Sequence, residues 1–97
     1  MTYSISELRE NLQPIFLEHN VKKAILFGSY SKGEETDYSD VDILVDSGLK
    51  GLSFYGLLYD ISDKLKKDVD LFDYRQFSPS SPMFKDIQEN GVIIYER

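Results

Sequence analysis

The chain has no cysteine, a single histidine and no apolar run approaching the roughly 20 residues needed to cross a bilayer. Without cysteine there is neither a disulfide framework nor a thiolate metal site. Any metal must therefore be held by oxygen or by His19. The opening MTYSISELREN lacks the basic-then-apolar layout of a signal peptide, so a cytoplasmic protein with no membrane association is expected. Positive charge is also in short supply, with 11 Lys and Arg against 17 Asp and Glu and a formal net charge of -6. That balance argues against direct nucleic-acid binding, which depends on Lys and Arg displacing counterions from the backbone. It leaves room for a nucleotide held through a cation. The lysines cluster at Lys22 and Lys23 and at Lys64, Lys66 and Lys67, where solvated helix ends and strand entries are expected.

What is present suits one compact domain over residues 1–97, with 41% hydrophobic and 13% aromatic content. Ile5, Leu8, Leu12, Ile15 and Phe16 recur at helical spacing after the candidate caps Ser4 and Ser6, which predicts an amphipathic helix over 5–19. Pro14 removes one of its backbone hydrogen bonds, so a kink or a break into two short helices is expected near Gln13. VKKAILFG (21–28) reads as a central strand ending at a glycine. Residues 30–39 read as a polar loop, with one helical turn just after Ser29. A second helix is expected over 53–67, carrying Phe54, Leu58, Ile61 and Leu65 on one stripe, and DVDLFDY (68–74) reads as a further strand. Pro82 suits the first position of a last helix, which Gly91 stops before an edge strand, VIIYE. The order helix, strand, strand, helix, strand, helix, strand predicts an α/β (α+β) fold: one small mixed sheet of about four strands, with helices mainly on one face.

The chemistry is concentrated in GSYSKGEETDYSDVDILV, residues 28–45. Alternation along DVDILVD (40–46) sends Val41, Ile43 and Val45 to one face and Asp40, Asp42 and Leu44 to the other. Side chains at i and i+2 lie roughly 6.5 to 7 Å apart along a strand, so the carboxylates of Asp40 and Asp42 can converge. Asp70 faces opposite Val69 and Leu71, and it joins them if its strand lies alongside. Three unpaired carboxylates repel one another and raise their own pKa values, and a hard divalent cation resolves that conflict. The turn before them offers the N–H groups and hydroxyl of a Gly28-Ser29 pair to a phosphate, with Gly33 permitting a conformation other residues resist.

This stretch resembles the Gly-Ser, Asp-x-Asp motif of the DNA polymerase beta-like nucleotidyltransferases, and the short chain is similar to their minimal nucleotidyltransferase (MNT) branch. The resemblance implies metal binding by Asp40 and Asp42, and a third role for Asp70 in binding one ion and activating the attacking hydroxyl. It implies triphosphate contact by Gly28 and Ser29, and Lys32 stands where many members carry arginine. Two Mg²⁺ ions and ATP are the implied cofactor and substrate. The implied activity is transfer of AMP to a hydroxyl, on a tyrosine of a HEPN-domain toxin for which the protein serves as antitoxin and with which it forms a hetero-oligomer. A non-catalytic antitoxin acting by contact alone is the alternative, followed by a small-molecule adenylyltransferase. His19 is expected to be a surface or capping residue, and Tyr55 and Tyr59 a core margin or a partner surface.

Overall fold

The computed structural model describes residues 2–97. Helix α1 (Ile5–Glu18) begins at Ser4, whose hydroxyl accepts from the Glu7 N–H while the Glu7 carboxylate accepts from the Ser4 N–H. This reciprocal pair satisfies two N–H groups that a helix start leaves unpaired. The expected break at Pro14 does not occur, and the helix runs through it. Pro14 and Glu10 both lie on the exposed side, where water can serve the Glu10 carbonyl that proline leaves without a donor. Leu8, Leu12 and Phe16, on the opposite face, are fully buried at roughly 1.5 to 3 kcal/mol each, enough to hold one continuous helix.

Strand β1 (Lys23–Phe27) is followed by the single turn α2 (Ser29–Lys32), and β2 (Val41–Asp46) follows the loop. Then come α3 (Leu52–Leu65), β3 (Val69–Asp73), a 3-10 turn (Tyr74–Gln76), α4 (Pro82–Asn90) and β4 (Val92–Glu96). The strands lie in the order β3-β2-β1-β4, with β2 and β3 parallel and the other two pairs antiparallel. The sheet is therefore mixed, β1 is central, and β4 is an edge.

Val41, Ile43 and Val45 point into the main core with α1 and α3, as alternation requires. The opposite face is not open along its length. Leu44 packs there with Ile25 and Ile87 of α4, bordered by Phe27, Phe72 and Phe84. Ser81 caps α4 and Pro82 opens it, and Gly91 must be glycine because a Cβ there would collide with Ile25 and with the backbone of Ile87 and Leu26. Helix α4 thus covers one half of this face and leaves the half holding the aspartates uncovered. Among the described residues no helix is long and apolar enough to cross a membrane.

Candidate active site

Strand pairing sets the centre of the site. Asp42 lies opposite Phe27 on β1 and opposite Asp70 on β3, so the two aspartates are direct neighbours on parallel strands. Asp40 precedes β2 on the loop and is exposed, as is Asp70, whereas Asp42 is half-buried. The Asp42 carboxyl is pushed up to about 6 from an ordinary 3.8. Burial is the largest cause, followed by its hydrogen bond to Asp70 and then by the charges of Asp70 and Asp40. Each cause disfavours the negative charge on Asp42.

The glycine turn meets this centre directly. Gly28 has φ 72° and ψ -152°, and a Cβ on it would overlap the Asp42 carboxylate. Only glycine supplies both the backbone angle and the space. Ser31 closes the turn by donating both its N–H and its hydroxyl to the Gly28 carbonyl, at 3.1 and 2.8 Å. Ser29 and Tyr30 open α2, so their N–H groups have no acceptor a turn earlier within the helix. Gly33 takes the left-handed conformation, φ 71°, and ends the turn. Lys32 is exposed and borders a groove of about 200 Å³ between this turn and α4, shared with Gly28, Met83, Asp86 and Asn90.

Asp42, Asp70, Gly28 and Ser29 are therefore gathered at one place, with Asp40 within charge range of Asp42 and Lys32 at the margin. Among the described residues no group of three or more His, Cys, Asp or Glu side chains cages a metal by itself. Mg²⁺ does not require such a cage, because it takes one or two carboxylates and completes its shell with water and phosphate oxygens. The donor set is all oxygen and carries excess negative charge at Asp42, and both features fit a hard cation.

Sequence reasoning missed two residues that hold this arrangement. Asp73 ends β3 at 2% exposure, and it accepts from the Ser47 hydroxyl and N–H and from the Arg75 N–H. It is a buried anchor, although its neighbours Asp68 and Asp70 are exposed. The available signal was its parity with Val69 and Leu71, together with the capping pattern Asp73-Tyr-Arg-Gln76. Lys67 is the second. It is not a solvated helix-end lysine, since its Nζ donates to the Asp37 carbonyl at 3.0 Å and stands 5.9 Å from the Tyr30 ring centroid.

Outside the site, His19 caps α1 and its Nε2 lies 2.7 Å from Asp60 of α3, so it ties two helices together. Tyr55 and Tyr59 are 64% and 69% exposed, which rules out a core-margin position.

The polymerase beta nucleotidyltransferase family matches residues 10–97 of the chain. A protein of Methanocaldococcus jannaschii, provisionally named a protein adenylyltransferase, is 39% identical over 79 residues, 78% of this chain and 84% of that one. A crystal structure of a toxin-antitoxin with AMP-PNP superposes with a TM-score of 0.74 at 24% identity, over 92% of this chain and 73% of that chain. The tri-AMPylated HEPN toxin of Shewanella oneidensis in complex with its MNT antitoxin gives a TM-score of 0.68 at 21% identity, over 96% of this chain and 73% of that chain. These two structural likenesses establish a shared fold. With the family match spanning both the glycine turn and all three aspartates, the chain belongs to the polymerase beta nucleotidyltransferases.

Proposed function

We propose that the protein transfers AMP from ATP to a hydroxyl on a partner protein, a tyrosine of a HEPN-domain toxin that it accompanies as antitoxin. The observation that carries the reading is the pairing of Asp42 with Asp70 across β2 and β3, directly beside a glycine turn that contacts Asp42. The name of the Methanocaldococcus relative and the AMPylated toxin in the Shewanella complex support protein as the acceptor class.

In this reading the N–H groups of the Gly28-Ser29 turn and the Ser29 hydroxyl receive the phosphates that leave as pyrophosphate, and Lys32 adds a point charge at their margin. Asp70 stands at the edge of the site away from that turn and accepts the proton of the attacking hydroxyl. The hydroxyl oxygen bonds to the α-phosphorus as the bond to the bridging oxygen breaks, which is an in-line displacement. Asp40 and Asp42 would hold two Mg²⁺ ions, with Asp70 sharing one, and when bound these cations supply charge neutralisation at the attacking and leaving oxygens. The main work of the chain is positioning and relief of charge, as phosphoryl-transfer chemistry requires.

The test is transfer of label to a HEPN-domain partner from ATP labelled at the α-phosphate, with the γ-labelled nucleotide as control. Label from the α but not the γ position, lost in Asp42→Asn, is the expected result. Neutralisation of the partner with no label in either case would establish contact alone as the mechanism.

A further inference from the structure

We propose that Lys67 is a positioning residue that sets where Asp40 stands relative to the phosphate turn. The inference rests on the reading of Asp40 as a metal ligand. Unlike Asp42 and Asp70, Asp40 lies outside the strands, at the end of the loop over residues 34–40. None of those seven side chains is buried, so apolar packing does not fix the loop. Its internal order comes from a small turn, in which Ser39 donates to the Thr36 carbonyl at 3.1 Å and the Thr36 N–H donates to the Ser39 hydroxyl at 2.9 Å.

Among the bonds that tie that turn to the body are these three. Glu34 N–H reaches the Ser29 carbonyl at 3.0 Å, Val41 N–H reaches the Asp68 carbonyl at 3.1 Å, and Lys67 Nζ reaches the Asp37 carbonyl at 3.0 Å. The first two are backbone bonds at the two ends of the loop. The third, at its middle, comes from a side chain. The same ammonium group stands over the Tyr30 ring within cation–π range, and Tyr30 is a buried part of α2. One cation thus touches both the loop that delivers Asp40 and the helical turn that carries the phosphate-binding groups. Loss of the cation removes this tether from the middle of the loop while leaving both strands paired. Arginine, a longer cation of the same charge whose N–H groups can also donate to a carbonyl, keeps the contact.

The experiment compares Lys67→Met, which keeps the alkyl stem, with Lys67→Arg and with Asp40→Asn. Amide hydrogen exchange is read by NMR, and Mn²⁺ binding to the nucleotide-free protein is read by electron paramagnetic resonance. Lys67→Met is expected to speed exchange at Thr36 and Ser39 at least tenfold and to weaken Mn²⁺ binding about tenfold. Amides at Leu26 and Ile43 should be unchanged, and Lys67→Arg should restore most of both effects. Unchanged exchange in the loop overturns the proposal, and so does an equal rise at Leu26 and Ile43, which would mean general loss of stability. Unaltered Mn²⁺ affinity in Lys67→Met, alongside lost affinity in Asp40→Asn, overturns it as well. If Asp40→Asn binds Mn²⁺ like the parent, the metal role of Asp40 fails first, and loop exchange alone then decides for or against the tether.

Discussion

Gly28 and Asp42 touch so closely that the Asp42 carboxylate occupies the space a Cβ on Gly28 would need. The two halves of the motif, ten residues apart in sequence, are in this way a single packed unit. Gly28→Ala must adopt a left-handed backbone angle and displace Asp42, and these costs together reach about 2 kcal/mol or more. A lower urea midpoint with an unchanged m-value is the expected signature.

Asp40→Asn is expected to leave the metal-free protein as stable as the parent or slightly more so. Asp40 is exposed, and its charge contributes to raising the Asp42 pKa, so its removal relieves repulsion. Thermal unfolding in the presence of a chelator measures this. A drop of several degrees would mean that Asp40 is a structural acceptor.

The pH dependence of stability has a defined sign. In the folded, metal-free protein Asp42 titrates near 6, against 3.8 ordinarily. Between those values the folded state binds more protons than the unfolded state. The contribution of this group is therefore complete below about pH 4 and is lost as pH rises through about 6. A shift of this size would be worth about 3 kcal/mol in a buried group, and solvent screening at a half-exposed site reduces it to about 1 kcal/mol. Denaturant midpoints measured from pH 4 to 7 in parent and Asp42→Asn should diverge over this window, with the variant gaining relative stability toward neutral pH.

Asp73→Ala should be costly where Asp70→Ala is not. The Asp73 carboxylate is buried and accepts from half-buried Ser47 and exposed Arg75, and removing it takes the acceptor from both at a cost of about 1 to 2 kcal/mol. Asp70 is exposed, so its loss should leave the unfolding free energy within about 0.5 kcal/mol of the parent. Urea unfolding of the two variants side by side checks the contrast.

Much of the fold was legible because single-residue physics decided it. Period-two alternation marked Val41, Ile43 and Val45 as core, and the same alternation separated Asp70 from Val69 and Leu71. Ser4 and Pro82 acted as local start signals whose effect does not depend on distant residues, whereas Gly91 is required by its close approach to Ile25 and Leu26. What was not legible depends on contacts across the fold. Continuity of α1 through Pro14 is set by which side faces the core, and the roles of Asp73 and Lys67 are set by residues 26 to 37 positions away. The cover that α4 places over Leu44 is of the same kind, since nothing in DVDILVD tells which half of that strand face a later helix will occupy.

Whether Asp40, Asp42 and Asp70 act as one cation-binding unit is read from the carbon-13 chemical shift of the Asp42 side-chain carboxyl, followed through a pH titration with and without Mg²⁺. A midpoint near 6 without the cation, falling toward or below the ordinary 3.8 when Mg²⁺ is added, is the predicted result. A midpoint near 3.8 that Mg²⁺ leaves unmoved would contradict the account.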